Sequence, residues 1–455
     1  MTDKQTTELL NYDKLSLSIR CLTIYHEVTA LPAVKKLITL FDYMTDPGDQ
    51  LIESTTALAA VYRTLMADTT GCTWAELIIN AILHDDNPFS RRSASIRTSY
   101  DREKVQELAP AVLEDLSTLQ KIARLNAAQI KEDLRQVAIS SGQEWALAII
   151  GKLPEWPIEP PQPSTRKRRE PNSPSELIAQ FLAKLHVDGG WPDLFNKLMQ
   201  FHKKNGVGFL PFHHVFRWQD KELQIVLHPD DIALADLVDY HGVIKQAVHN
   251  TKLFLDHRFA ENILFYGARG TGKSSTVKAI ANEFASKGLR LIELTKQHIG
   301  TLPLLLEELA HLSQYFIIFI DDLSFDAVDD DFNTLKSIVQ GGSTHQPDNI
   351  LIYVTTNRRH LVVERFTDTQ DDMFEVDARQ ERLSLSERFG LTLNFRTPIQ
   401  KTYLDIVFQL AVQHGMDPSD PDLADKALTF ATRQSSRSPR TAQQFIRQYE
   451  RDHSK

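Results

Sequence analysis

The sequence predicts an all-helical N-terminal region followed by an α/β domain built on a parallel sheet. From about residue 8 to 152, apolar residues recur at three- and four-residue spacing, which is the pattern of amphipathic helices. After Asp230 the order becomes strand, glycine loop, helix, strand, helix, strand, which is typical of a parallel sheet covered by helices. A chain of 455 residues has room for two or three such domains.

Composition excludes several other classes of protein. Hydrophobic residues make up 42% of the chain, and the net charge of −9 offers no general attraction to nucleic acid or to anionic membranes. The two cysteines, Cys21 and Cys72, have no paired spacing, and the first residues of the sequence do not combine a basic start, an apolar run and a small-residue cleavage site. The strongest apolar run, Phe316 to Ile320, is far shorter than the roughly 18 residues of a membrane-spanning helix. We therefore expect a cytoplasmic protein without membrane insertion.

The helical N-terminal domain is predicted to cover residues 1–152. Its periodicity is clearest in the stretches Val34–Met44, Leu51–Met66 and Ala109–Val137, where no strand-like alternation competes. Helical packing of this kind carries no chemistry by itself.

A linker is predicted over residues 153–174, where seven prolines surround the basic run Arg166–Arg169. The basic run could contact nucleic acid phosphates. The prolines and the following Glu170 favour a solvated, extended segment instead, so nucleic-acid binding is not predicted from it.

A smaller unit is predicted over residues 175–229. A short helical unit over Ser175–Lys204 is followed by period-two alternation over Gly206–Leu227, with a turn at Gln219–Lys221. This pattern predicts a β-hairpin that leads into the α/β domain.

The strongest motif follows the first apolar strand of that domain, in the stretch ILFYGARGTGKSSTVKAIANEF at 263–284. It satisfies G-x-x-x-x-G-K-[ST] between a strand and a helix, the context in which backbone N–H groups and the helix N-terminus hold phosphates. Lys273 is expected between the β- and γ-phosphates, and the Ser274 hydroxyl is expected to bind Mg²⁺. The predicted nucleotide-binding residues are Gly267, Ala268, Arg269, Gly270, Thr271, Gly272, Lys273, Ser274 and Ser275.

A pair of carboxylates follows the next buried strand, in FIIFIDDLSF at 316–325. Carboxylates at the C-terminal end of a parallel strand emerge where ligands bind in open α/β sheets. Asp321 is expected to hold Mg²⁺ through water, and Asp322 to orient or deprotonate the attacking water. The alternative, a solvated Asp-Asp turn, is common for isolated matches, but the position after the phosphate loop favours the functional interpretation.

A third strand, ILIYVTTNRRH at 350–360, ends in polar residues. The amide of Asn357 could hold the attacking water near the γ-phosphate, and by pattern alone an ordinary turn residue is an equal alternative.

These elements, in this order, resemble the AAA+ ATPases. The amino-acid sequence over residues 215–448 is similar to that of one bacterial group in particular, the ATP-binding family known as domain of unknown function 815. The similarity is clearest in GARGTGKSSTVKAI, GLRLIEL, FIIFIDDLSF, TTNRRH, LSLSERFGL and SPRTAQQF. The resemblance implies a P-loop NTPase core of three layers around a parallel sheet over residues 230–396, and a helical lid over 397–455.

The resemblance also implies roles that spacing does not. Lys273 and Ser274 match Walker A, Asp321 and Asp322 match Walker B, and Asn357 matches sensor 1. Arg388 matches the arginine finger that reaches the γ-phosphate of a neighbouring subunit, and Arg440 matches sensor 2 in the lid. By pattern alone, both arginines would be surface residues. A guanidinium suits both tasks because its fixed charge offsets the charge on the transferring phosphoryl group.

Two departures from the AAA+ pattern affect the expected function. Asp322 stands where many AAA+ proteins have glutamate, so slow hydrolysis is expected. The segment KQHIGTLPLLLEEL after the second strand lacks the aromatic loop of protein-threading machines, which argues against a processive unfoldase.

The sequence thus predicts an Mg²⁺-dependent ATPase, slowed by Asp322, that acts as a homo-oligomer on an unidentified macromolecular client. The helical N-terminal region is expected to hold this client. One alternative is a scaffold that ATP gates, with negligible hydrolysis. Another is a replication-type loader that acts on DNA or on a helicase.

Overall fold

The computed structural model describes residues 11–45, 48–67, 72–156, 174–237, 240–324, 330–339, 346–357 and 388–453. They form two compact units, residues 1–212 and 213–455, which we call unit 1 and unit 2. Most of the predicted linker, including its basic run, lies outside the described residues. No helix in the part of the chain described by the structure is long and apolar enough to cross a membrane.

Unit 1 is helical, as the periodicity predicts. Polar caps begin several of its helices, for example the capping box of Thr73 and Glu76 at α4. The helices are α1 (Tyr12–Arg20), α2 (Pro32–Met44), α3 (Leu51–Met66), α4 (Trp74–His84), α5 (Pro88–Ala94), α6 (Ser99–Gln106), α7 (Ala109–Ala123), α8 (Ala127–Ser140), α9 (Leu147–Lys152), α10 (Pro174–Ala183) and α11 (Phe195–Asn205).

The helices after the predicted linker pack into the core of unit 1. Phe181 and Phe201 are fully buried in the same apolar cluster as Phe41 of α2. The buried Gln120 side chain of α7 reinforces this packing, because its amide donates to three carbonyls just after α10 and accepts from the Trp191 N–H at 3.1 Å. The segment 175–229, predicted as one unit, is therefore divided: its helices lie in unit 1, and its hairpin lies in unit 2.

Unit 2 is built on one seven-stranded sheet in the order β2-β1-β4-β5-β6-β3-β7. Its strands are β1 (Val215–Gln219), β2 (Glu222–Ile225), β3 (Ile263–Gly267), β4 (Leu289–Leu294), β5 (Tyr315–Ile320), β6 (Ile350–Thr356) and β7 (Leu391–Phe395). Its helices are α12 (His241–Leu255), α13 (Lys273–Phe284), α14 (Leu302–Ala310), α15 (Asp330–Val339), α16 (Gln400–Gln413), α17 (Pro421–Arg433) and α18 (Pro439–His453).

The predicted three-layer α/β fold with a helical lid is confirmed, with one correction to the parallel sheet. The hairpin extends the sheet beyond β4: β1 pairs parallel to β4, and β2 pairs antiparallel to β1. The reversal takes place at Asp220 and Lys221, which have φ of 53° and 62° and so form a tight hairpin turn. Strands β5 and β6 are buried on both faces, as expected for central strands covered by helices.

The strand order brings the three polar strand ends together. Strand β6 lies between β3 and β5, and all three run parallel. Their C-terminal ends therefore meet at one edge of the sheet, where β3 enters the phosphate loop, β5 ends before Asp321 and β6 ends before Asn357. This is the position at which open α/β sheets bind ligands.

The lid consists of α16, α17 and α18, which share a separate apolar cluster that includes Tyr403 and Ile446. At the start of α18, the Arg440 N–H donates to the Gly270 carbonyl at 3.2 Å. A Cβ at Gly270 would lie 2.7 Å from the Ser438 hydroxyl, so this glycine allows the lid to touch the phosphate loop.

We expect Gly267→Ala to destabilise unit 2 by about 2–4 kcal/mol. Gly267 has φ of 142°, and its missing Cβ would overlap the Phe395 carbonyl of β7, which cannot move without breaking the sheet. Amide hydrogen exchange in β3 and β7 would report the change. Gly242→Ala is the matched control, because among the described residues no atom beyond its chain neighbours and its own helix backbone lies within 4 Å of that Cβ position. Unchanged protection of β3 in Gly267→Ala would contradict the prediction.

Candidate nucleotide-binding site

Lys273 begins α13 directly after the glycine loop and turns its side chain back towards β3. Its Nζ donates to the carbonyls of Gly267 at 2.9 Å and Ala268 at 2.8 Å, and to Oδ1 of Asn357 at 3.1 Å. Burial lowers the pKa of the Lys273 ammonium, although the nearby Asp322 and Asp321 carboxylates oppose the shift. The ammonium group is thus held in the loop by uncharged oxygens that phosphate oxygens can replace.

Ser274 and Asp321 meet one residue further along the chain. The Ser274 hydroxyl donates to Oδ1 of Asp321 at 2.6 Å, which joins the start of α13 to the end of β5. Hydroxyl and carboxylate oxygens are ligands that Mg²⁺ accepts, and this ion is usually bound by one or two protein groups together with substrate phosphates. The donor set therefore fits the predicted metal.

Asp322 leaves the strand in a left-handed conformation, with φ of 49°. Its Oδ1 accepts a hydrogen bond from the side-chain amide of Asn357, and its Oδ2 lies 3.9 Å from the Arg269 guanidinium. Asn357 therefore bridges the two residues: its side-chain oxygen accepts from Lys273, and its side-chain nitrogen donates to Asp322. The three predicted side chains form one connected group.

A cleft of about 970 Å³ contains this group and extends beyond it. Residues that sequence reasoning did not select line the rest of the cleft. Ile232 and Tyr240 come from the segment before α12, and Ile406, Leu410 and His414 come from the lid. The spacing of Ile406 and Leu410 indicates only one face of a helix, so a single sequence held no signal that this face borders the cleft.

Most of the predicted site residues line this cleft, and Arg388 lies elsewhere. Arg440 is part of the cleft wall together with Lys273, Ser274, Asp321, Asp322 and Asn357. Arg388 instead precedes β7, whose first residue, Leu391, pairs with Ile263 at the opposite end of β3 from the phosphate loop. Four strand steps separate Leu391 from Phe395, or about 13 Å, before the loop edge is reached. Arg388 thus precedes the end of β7 that lies away from the phosphate loop of its own chain.

Comparison with known proteins finds a curated protein and solved structures that are distantly similar to this chain, and a matching family model. A Methanocaldococcus jannaschii protein, named as a homologue of a 26S proteasome regulatory subunit, is 26% identical over 223 residues, which are 44% of this chain and 59% of the relative. A solved RuvB structure from Thermotoga maritima is 14% identical with a TM-score of 0.32, covering 47% of this chain and 63% of that one. The Orc1 protein of Aeropyrum pernix, solved in complex with DNA, is 16% identical with a TM-score of 0.34, covering 46% and 58%.

This chain spans about three fifths of the length of each of those three proteins. The model of a family described as "Protein of unknown function (DUF815)" matches residues 212–453. The match includes the sheet, the phosphate loop and the lid, and it takes in more than half of the chain. The resemblance to this family expected from the motifs is confirmed, and the protein belongs to the DUF815 family.

Proposed function

We propose that this protein binds ATP with Mg²⁺ and hydrolyses it in the cleft of unit 2. The observation that carries the proposal is the connected group of Lys273, Asn357 and Asp322 beside the phosphate loop. One cleft contains the groups that this reaction needs. They are a cation for the phosphates, an amide and a carboxylate for the attacking water, and hydroxyl and carboxylate oxygens for a metal.

Each of these residues has a role in the proposed reaction. The N–H groups of the loop and the N-terminal end of α13 hold the phosphates, and the Lys273 ammonium exchanges its carbonyl partners for phosphate oxygens. Ser274 and Asp321 would hold Mg²⁺, which neutralises phosphate charge when bound. Asn357 and Asp322 orient the attacking water, and Asp322 accepts its proton.

The lid couples to this reaction through its contact with the loop. The Arg440 N–H donates to the Gly270 carbonyl, and Arg440 also lines the cleft. A phosphate that binds the loop or the Arg440 guanidinium can therefore shift the start of α18 directly. We propose that ATP turnover moves the lid in this way.

We also propose that Arg388 completes the site of a second copy of the chain. Its place at the far edge of the sheet separates it from its own phosphate loop, whereas an adjacent subunit could present its cleft to that edge. The active form would then be a homo-oligomer, and its helical unit 1 would hold a macromolecular client.

Phosphate release by the purified chain tests the proposal. Wild type should hydrolyse ATP only when Mg²⁺ is present, and Asp322→Asn should lower turnover by about 10²- to 10⁴-fold, the range for losing a general base, while ATP still binds. The scaffold alternative is favoured by one observation, the aspartate at position 322 where many AAA+ proteins have glutamate. It predicts ATP-dependent assembly with background phosphate release in both proteins. Wild type that neither binds nor hydrolyses ATP would reject both functions.

A further inference from the structure

We propose that Thr355 is a positioning residue, which orients the metal-binding Asp321 and the water-orienting Asp322 at the same time. The inference rests on the proposed function, because it assigns Thr355 to the Mg²⁺ side of that site. Thr355 lies two residues before Asn357, is 1% exposed and lines the cleft. Thr355 is not among the site residues predicted from the sequence.

The side chain of Thr355 holds the Asp321 carboxylate. Its hydroxyl donates to Oδ1 of Asp321 at 2.5 Å, and the Ser274 hydroxyl donates to the same oxygen at 2.6 Å. Oδ1 is thus held between one hydroxyl from the next strand and one from the phosphate-binding helix. These two bonds set the direction of the carboxylate, and hydrogen bonds to a charged acceptor are among the stronger ones.

Thr355 also holds the turn that carries Asp322. The Asp322 N–H donates to the Thr355 hydroxyl at 2.8 Å, and the Leu323 N–H donates to the Thr355 carbonyl at 2.8 Å. These bonds tie the residues after β5 to β6 just where Asp322 has its left-handed φ of 49°. An L-residue resists that conformation, so the turn needs partners that hold it there.

The chemistry explains why threonine suits the position. A hydroxyl can accept from the Asp322 N–H and donate to Asp321 at once, whereas a valine methyl of the same shape can do neither. The branched Cβ restricts the side chain to few rotamers, which keeps the hydroxyl aimed at both partners. Serine retains the two hydrogen bonds and loses only the methyl group.

The test distinguishes an effect on Mg²⁺ binding from an effect on nucleotide binding. Binding of fluorescent mant-ADP is titrated in EDTA and in Mg²⁺ for wild type, Thr355→Val, Thr355→Ser and the control Thr356→Val. Strand alternation turns the equally buried Thr356 side chain to the other face of the sheet. Mg²⁺ should increase the affinity of wild type for mant-ADP, and we expect this increase to be at least about tenfold smaller in Thr355→Val. A tenfold change corresponds to the loss of one or two hydrogen bonds.

In EDTA, we expect the affinity of Thr355→Val to stay within about twofold of wild type. Thr355→Ser and Thr356→Val should keep the Mg²⁺ effect. The proposal is overturned if Thr355→Val keeps the full Mg²⁺ effect, or if Thr355→Ser loses it as fully as valine does. It is also overturned if Thr355→Val and Thr356→Val weaken binding equally in EDTA and Mg²⁺. Wild type that binds no mant-ADP in either buffer would instead reject the proposed function. Circular dichroism checks that each variant is folded, and Thr355→Ser keeps the test decisive if valine prevents folding.

Discussion

Replacing Lys273 by alanine should reduce ATP turnover to background and weaken ATP binding by about 10- to 100-fold, since charged hydrogen bonds contribute about 1.5–3 kcal/mol each and 1.4 kcal/mol is a factor of ten. The physical reason is the place of the ammonium group. It lies inside the phosphate loop on replaceable carbonyl oxygens, so it meets phosphate oxygens without a large rearrangement. Phosphate release and equilibrium binding of ATP would measure the two effects.

Lys287→Ala is the control for this substitution. Lys287 lies just after α13, where its ammonium sits over the Phe284 ring at 5.5 Å from the ring centre. Its loss removes the same charge from the same part of the chain without touching the cleft, so turnover should stay near the wild-type value. ATP turnover in Lys273→Ala at the rate of Lys287→Ala would disprove the role proposed for Lys273.

Replacing Arg388 by alanine should lower turnover by about 10³-fold or more, the effect expected of an arginine that stabilises phosphoryl transfer from outside. ATP affinity should remain within about twofold of wild type, because Arg388 lies at the far edge of its own sheet. The exposed Arg451 of α18 supplies the control, and Arg451→Ala should retain turnover.

Mixing two inactive variants tests whether Arg388 acts on a second copy. Lys273→Ala subunits retain Arg388, and Arg388→Ala subunits retain an intact phosphate loop. Mixed oligomers should therefore recover part of the wild-type turnover, at sites where an intact loop faces an intact arginine. A loss of activity in Arg388→Ala that mixing never restores, together with a monomer by sedimentation in ATP, would disprove the action between subunits.

The phosphate loop was predictable residue by residue because it is local. Gly267, Lys273 and Ser274 are joined by a short stretch of chain, and the loop works through its own backbone. The pairing of Asp321 with Ser274 was predictable in kind, because parallel strands present their C-terminal ends at one edge. The hydrogen bonds that join Lys273, Asn357 and Asp322 needed the register of three strands.

The divided segment after the linker shows the same limit for the fold. Its helices and its hairpin follow each other closely, and their patterns predict their secondary structure correctly. Their partners, however, are distant in sequence: Gln120 binds the residues after α10, and β1 pairs with β4. Periodicity shows that a face is apolar and gives no information on which other face covers it.

For this protein, the sequence by itself determined the DUF815 family, the phosphate loop and the types of chemical group at the strand ends, because those depend on neighbouring residues. Only the tertiary structure decided that Asn357 bridges Lys273 and Asp322, that the Thr355 hydroxyl binds both the Asp321 carboxylate and the Asp322 N–H, and that Arg388 lies away from its own cleft. Those relations depend on which strands are adjacent and in which direction they run. Single-residue patterns do not encode that arrangement, since it arises from pairing between segments far apart in the chain.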